Sequence, residues 1–345
     1  MRIAVTADLH LRESNPERLE NLEVLIQQLL SLEIHHLIIA GDLFDSADTS
    51  YARLDSLAER SPELQFMVIP GNHDPDLRQE LFASDNIQVF AKPTLKRIDQ
   101  RPFLFLPYRE GSTMGETICS LQDSGRLRSH PWILVSHGDF AAPRPMDNGG
   151  ERGYYPLTRE DLARFKPVKV ILGHIHVPNS TSGEVVYPGS PYPVTSDEYG
   201  QRRVLILEPK SAAVTEFPLT HPPVRLRIDI FLIPDGREEE QIRSRLQSVL
   251  AEQESPENLV VQAVLKGYSV SRGKAKALVE AFLSERGIPC AGIDLQSLRV
   301  NDREELATLA DKVRQRVAQL RLEYGEAEDL RQAVLERALE IVYGP

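Results

Sequence analysis

Five times in its first half the chain runs through a short apolar stretch, rich in β-branched residues, and then stops on glycine, aspartate, asparagine or histidine. "RIAVTADLH" ends in Asp8 and His10, "HLIIAGDLFD" in Asp42 and Asp45, and "QFMVIPGNHD" in Asn72, His73 and Asp74. "WILVSHGDF" ends in His137 and Asp139, and "VKVILGHIH" in His174 and His176. Nearly continuous apolar runs of this length read as strands buried on both faces, which requires a sheet covered by helices. Between the first two lies "PERLENLEVLIQQLLSLEI", where Leu19, Leu22, Leu25, Ile26, Leu29 and Leu30 recur at helical spacing. Asn15 is placed to cap that helix, with Pro16 at its first position. Strand, helix, strand implies that part of the sheet is parallel, so the fold class is α/β. In such sheets ligands bind where the carboxyl ends of the strands gather. The pattern therefore predicts that side chains spread over residues 8 to 176 meet in one cluster.

The chemistry of that cluster is legible from its residue types. It offers carboxylates, imidazoles and one amide, and no thiolate, a set suited to manganese, iron or zinc rather than calcium. There are more ligands than one tetrahedral ion accepts, so two ions sharing a carboxylate, about 3.5–4 Å apart, are expected. A pair of this kind activates water and offsets charge building on a phosphoryl group, which makes phosphoester hydrolysis the expected reaction.

Composition narrows the setting. The two cysteines, Cys119 and Cys290, are far apart, which fits a reducing cytoplasm. The first residues carry Asp8 and His10 where a signal peptide needs a longer apolar core, so no targeting segment is expected. No apolar stretch approaches the roughly 18 residues of a membrane span, and no membrane partner is expected. A net charge of −11 argues against coating nucleic acid by bulk charge, while leaving room for a local patch or bound metals to attract phosphates.

Near residue 220 the texture changes at "LTHPPVR". The expected organisation is a first domain over 1–220, a small α+β module over 221–301 and a helical segment over 302–345. The module reads strand (224–233), helix (237–254), strand (258–265), helix (273–286), strand (288–300). In the last segment Leu306, Leu309, Val313, Val317 and Leu320 form one stripe, and after Gly325 a second follows in Leu330, Val334, Leu335, Ala338 and Ile341. Such a hairpin either binds a partner or folds back on its own domain.

The ordered series "DLH", "GDLFD", "GNHD", "SHGD" and "GHIH" resembles the calcineurin-like metallophosphoesterase superfamily, whose pattern is D-x-H, G-D, G-N-H-[DE], H and G-H-x-H. The resemblance implies a mixed β-sandwich covered by helices, with a smaller α+β capping domain and C-terminal helices. It assigns Asp8, His10 and His176 to one metal, Asn72, His137 and His174 to the other, and Asp42 to both. His73 is then no ligand, but a group beside the scissile phosphate that steadies charge or protonates the leaving oxygen. Within the superfamily, "VVYPGSPYPVTSDEYGQRRVLILE" after the last motif is similar to a segment of bacterial SbcD nuclease proteins. That likeness implies a manganese-dependent exonuclease and single-strand endonuclease acting on DNA in repair or recombination. It also implies an SMC-like ATPase, SbcC, as partner, and homodimerisation through the nuclease domain. In one departure, Asp45 stands where some relatives carry histidine, leaving His73 as the obvious catalytic imidazole.

Other positions carry two readings. Asp45, Asp74 and Asp139 either orient ligand imidazoles or serve as turn residues. Arg12, Arg109, Arg144, Arg152, Arg202 and Arg203 either clamp phosphates or are solvated charges. Tyr154 and Tyr155 either stack on bases or pack inside. The competing function is a small-molecule phosphodiesterase or phosphatase using the same dinuclear site.

Overall fold

The apolar runs become the inner strands of a two-sheet sandwich in the computed structural model, which describes residues 1–345 apart from 46–50, 128–130, 142–153, 181–182, 254–257, 302–303, 321–326 and 344–345. The chain divides into two units, Met1–Pro222 and Pro223–Pro345. The first unit runs β1 (Ile3–Thr6), α1 (Glu17–Ser31), β2 (His36–Ala40), α2 (Tyr51–Glu59), β3 (Gln65–Ile69) and β4 (Ile87–Val89). It continues through β5 (Thr94–Ile98), β6 (Arg101–Leu106), α3 (Met114–Asp123), β7 (Ile133–His137), α4 (Arg159–Phe165) and β8 (Lys169–Gly173). It closes with β9 (Asn179–Ser180), β10 (Val185–Tyr187), β11 (Arg203–Glu208) and β12 (Ala213–Pro218).

One sheet has the order β12-β11-β1-β2-β3-β4, parallel from β1 to β4 with β11 and β12 antiparallel at one edge, and the other β5-β6-β7-β8-β10-β9, parallel from β6 to β10 with an antiparallel strand at each edge. Side chains of both fill the space between them, among them Val5, Ile38, Ile69, Phe105, Val135 and Ile171. The outer face of the first sheet is sealed by α1 and α2 through Leu22, Ile26, Leu54 and Leu57, and that of the second by α3 and α4 through Ile118, Leu121 and Phe165. Two-sided burial explains why these strands read as unbroken apolar runs. Each buried side chain of this size contributes roughly 1.5–3 kcal/mol.

Register then places the polar strand ends. Thr6 pairs with Ile39, and Ala40 with Ile69, so Asp8, Asp42 and Asn72 leave the first sheet two or three residues beyond matched positions. In the second sheet His137 pairs with Gly173, which puts His137 beside the start of the His174–His176 loop. The two sheets come so close at this edge that only glycine fits. A methyl at Gly173 would sit 1.9 Å from the Ala40 carbonyl oxygen, and one at Gly41, whose φ is +92°, would sit 2.1 Å from His137 Nδ1.

The start of α1 differs from its sequence expectation. Pro16, rather than Asn15, caps the helix, without a side-chain cap bond; the Asn15 carbonyl instead accepts from Arg18 N–H at 3.3 Å.

The second unit comprises β13 (Val224–Leu232), α5 (Glu238–Ala251), β14 (Leu259–Ser269), α6 (Arg272–Glu285), β15 (Cys290–Asp294), β16 (Leu298–Val300), α7 (Glu304–Ala318) and α8 (Ala327–Tyr343). β14 is central, parallel to β13 and to both β15 and β16, with α5 and α6 packed on the sheet. The strand expected over 288–300 is thus two short strands, each paired with a different part of β14. The terminal hairpin packs within its own unit through Ala310, Val313, Leu335, Leu339 and Tyr343 against Ile233 and Tyr268. The seam takes Val313 and Leu335 from the expected stripes, with Val317 also buried. Leu309, Leu320, Leu330 and Ile341 lie outside it and are exposed, Ile341 at 78%. No helix among the described residues is long and apolar enough to cross a membrane.

Candidate metal centre

Strained backbone marks several of the strand ends of the first unit. Asp8, His10, Asp42 and His174 all have positive φ, at 56°, 45°, 50° and 97°. Non-glycine residues held there cost of order 1–3 kcal/mol each, and such strain persists where the surroundings over-determine it, most often at functional sites. The strain turns the side chains inward to one pocket. Asp8, His10, Asp42 and His137 form its floor at no more than 2% exposure. His73, His174 and His176 line its open side.

Two sets of electron-pair donors converge there. In the first, His10 Nε2 lies 3.1 Å from His176 Nε2 and 3.6 Å from Asp42 Oδ2. In the second, His137 Nε2 lies 2.8 Å from Asn72 Oδ1 and 3.3 Å from Asp42 Oδ2, with His174 Nδ1 3.1 Å from the same Asn72 oxygen. The outer nitrogens of two rings are occupied: His137 Nδ1 donates to the Ala40 carbonyl at 2.9 Å and His176 Nδ1 to Glu198 Oε1 at 2.8 Å. Their Nε2 atoms therefore present lone pairs to other lone pairs, an arrangement that calls for a proton or a cation between them. Asp42 Oδ2 belongs to both sets. Asp8, His10 and His176 have ligand atoms within 4.8 Å of one another, as do Asp8, Asp42 and His137, and His10, Asp42 and His73.

The electrostatics say the same. Burial pushes the Asp8 carboxyl up to about 6. Burial alone would raise Asp42 as well, but the charge and hydrogen bond of His137 and the His73 N–H outweigh it and hold that carboxyl well below its ordinary range. Against its own burial, His137 is raised to about 9 by the Asp42 carboxylate. Burial takes His10 down to about 3, and burial with the His137 charge takes His174 down to about 4. Asp8 Oδ2 is buried and has no hydrogen-bond partner among the described residues. An acceptor stranded in this way costs about 1–3 kcal/mol unless something electropositive meets it. The donor set, the facing lone pairs and the stranded oxygen fit divalent cations.

The neighbouring carboxylates divide by role. Asp74 is 7% exposed and accepts from Gly71 N–H at 2.7 Å and Phe44 N–H at 3.1 Å. It ties together the loops bearing Asp42 and His73, and burial together with the Asp42 charge raises it to about 7. Asp45 pairs with Arg12 and lies 3.7 Å from His10 Nδ1 and 4.0 Å from His73 Nδ1. Asp139 accepts from Tyr154 N–H at 2.7 Å and approaches His174 Nε2 at 3.6 Å.

The arginines that the sequence leaves between two readings differ in their surroundings. Arg202 is 2% exposed and serves the site from behind, donating to Glu198 and to the His176 carbonyl. Arg203 pairs with Glu216. Arg109 is exposed, next to Tyr108, whose N–H donates to the Pro70 carbonyl. Arg144 and Arg152 lie outside the described residues. The two tyrosines part company: Tyr155 is buried with its hydroxyl on Thr117, whereas Tyr154 is 49% exposed with its ring 4.7 Å from that of His174. Glu198 was not a sequence candidate; it lies in the "SDEYG" stretch, with no apolar run before it to mark a strand end.

Comparison with known proteins agrees in kind. The family model for calcineurin-like phosphoesterases matches residues 1–190. The chain is 28% identical over 297 residues to the SbcD component of the nuclease SbcCD of Rhodobacter capsulatus, covering 66% of this chain and 71% of that protein. It is 23% identical over 291 residues to the DNA double-strand break repair protein Mre11 of Methanopyrus kandleri, covering 71% of this chain and 62% of that protein. Among solved structures, an archaeal phosphodiesterase aligns at 12% identity and a TM-score of 0.32, over 64% of this chain and 100% of its own. The nuclease MPE of Pseudomonas putida aligns at 17% identity and a TM-score of 0.28, over 62% of this chain and 86% of its own.

Proposed function

The chain belongs to the calcineurin-like phosphoesterase family, and from that premise we propose that it is a manganese-dependent DNA nuclease, with exonuclease and single-strand endonuclease activity, serving DNA repair or recombination. The family works with a dinuclear metal centre. In this reading Asp8, His10 and His176 hold one ion, Asn72, His137 and His174 the other, and Asp42 touches both. The observation that carries it is the position of Asp42 Oδ2, 3.6 Å from His10 Nε2 and 3.3 Å from His137 Nε2, between the two donor sets. When bound, two manganese ions (iron or zinc being the alternatives) supply Lewis acidity to the phosphoryl oxygens and to water.

The chain's own groups do the rest. Ala40 and Glu198 fix the rings of His137 and His176 with Nε2 inward. His73, its side chain 43% exposed at the mouth, holds a proton and gives it to the oxygen that leaves as the P–O bond breaks. The half-exposed ring of Tyr154, beside His174, suits stacking of a base. The exposed Leu309, Leu320, Leu330 and Ile341 of the terminal hairpin suit docking to an SMC-like ATPase of the SbcC kind. DNA as substrate is supported by what the two relatives are named for, a nuclease and DNA break repair. A reducing cytoplasm suits the free Cys119 and Cys290, and a homodimer is part of the same reading.

A small ester is the second reading, favoured by the net charge of −11, which repels a long polyanion more than a small ester. The two separate when the purified chain is incubated with Mn²⁺ and linear duplex DNA, single-stranded DNA or bis-p-nitrophenyl phosphate. We expect both DNA forms to be cut. Cleavage of the small ester alone, with or without the ATPase, would make the nuclease reading wrong.

A further inference from the structure

We propose that Glu198 is a positioning residue that presets His176 as a ligand and thereby governs the affinity of one of the two ions, a role that rests on the dinuclear reading above. Glu198 Oε1 meets His176 Nδ1 at 2.8 Å and so fixes the tautomer that leaves Nε2 bare toward His10. Carboxylates in this relation to a ligating imidazole orient the ring and raise its basicity.

Glu198 cannot itself swing in to ligate, because both of its oxygens are already engaged. Oε2 accepts from Arg202 Nη2 at 3.0 Å and Val194 N–H at 2.9 Å, and Oε1 also receives the Thr195 hydroxyl at 3.1 Å. Arg202 uses its other arm on the His176 carbonyl at 2.9 Å. The same segment reaches the partner histidine: Arg18 donates to Val194 O at 2.9 Å and to His10 O at 2.5 Å. Tyr192 hydroxyl adds a bond to the Leu9 carbonyl at 2.5 Å. Within this stretch Glu198 meets the ring of His176, which belongs to one donor set, while the hold on His10 runs through the backbone at Leu9 and His10 by way of Tyr192 and Arg18. The effect of Glu198 is expected at one ion, not two.

A purely structural Glu198, present only to pair the buried Arg202, makes a different prediction. Leucine removes both the ring contact and the ion pair. Glutamine keeps a carbonyl oxygen for His176 Nδ1–H but gives up the charge facing Arg202. Calorimetric titration of the metal-free full chain with Mn²⁺, beside its thermal unfolding without metal, distinguishes them. We expect two sites in the wild type. Glu198→Leu should keep one and bind the other about 10–100-fold more weakly. Glu198→Gln should bind both within about threefold of wild type, even if its melting temperature falls.

Two outcomes overturn the proposal: Glu198→Leu binding both ions as the wild type does, or both variants weakening both ions alike. A wild-type chain that takes up no Mn²⁺ overturns it together with the dinuclear reading. A chain that binds two ions yet cuts no DNA leaves Glu198 in its role and removes only the proposed substrate.

Discussion

Asp42→Asn is expected to lower phosphodiester hydrolysis at least about a thousandfold and to reduce Mn²⁺ content from two ions per chain to one or fewer. The reason is positional. Asp42 Oδ2 faces His10 Nε2 on one side and His137 Nε2 on the other, while Oδ1 accepts from His73 N–H at 2.9 Å. Asparagine retains an acceptor for that N–H, so the loop survives, but the amide lacks the charge that balances two divalent ions. It also takes from buried His137 the nearer of its two carboxylates. Hydrolysis rate and elemental metal content, taken on the same preparation, check the result. An Asp42→Asn chain that keeps both ions and most of its activity would exclude the bridging role.

His73→Ala is expected to have the second-largest effect, a loss of roughly 10²–10⁴-fold in turnover with both ions retained. His73 sits within ligand reach of Asp42 and His10, its ring centroid 4.7 Å from that of His10, so a ligand role and an acid role both have geometry behind them. Exposure separates them. The side chains of His10 and His137 are 2% and 0% exposed, at the floor, whereas that of His73 is 43% exposed, where a substrate oxygen would approach. The expected pattern is a fall in kcat with unchanged metal stoichiometry. Loss of an ion from the variant would instead make His73 a ligand.

How much of this was legible from sequence depends on where each residue lies. Asp8, Asp42, Asn72, His137 and His174 follow strands buried on both faces, and such strands announce themselves as apolar runs whose abrupt polar ends must share an edge. Glu198 and Arg202 gave no such signal. They belong to an irregular segment, and only the fold brings Glu198 onto His176; by composition Arg202 reads as a surface charge, yet it is buried because a carboxylate and a carbonyl satisfy it. The separation of Tyr154 from Tyr155 was equally hidden. Two adjacent tyrosines look alike in sequence, yet one is buried with its hydroxyl on Thr117 and the other half exposed beside His174.

Helical periodicity proved weaker than strand ends in the second unit. Leu335 of the expected α8 stripe reaches the packed seam with Leu339 and Tyr343, while Leu330 and Ile341 of the same stripe are left exposed. Tertiary partners on β13 and β14 choose the seam, and no spacing within the helix reveals them. The strand expected over 288–300 broke for a related reason. Its two halves pair with separate stretches of β14, and the residues between them turn.

The central claim is that side chains from both sheets assemble one two-ion site, and anomalous diffraction at the manganese edge from Mn²⁺-soaked crystals tests it most directly. Two peaks about 3.5–4 Å apart are expected, one beside His10 and His176, the other beside His137 and His174, with Asp42 between them. Absence of any peak there, or a lone peak elsewhere on the chain, would contradict it.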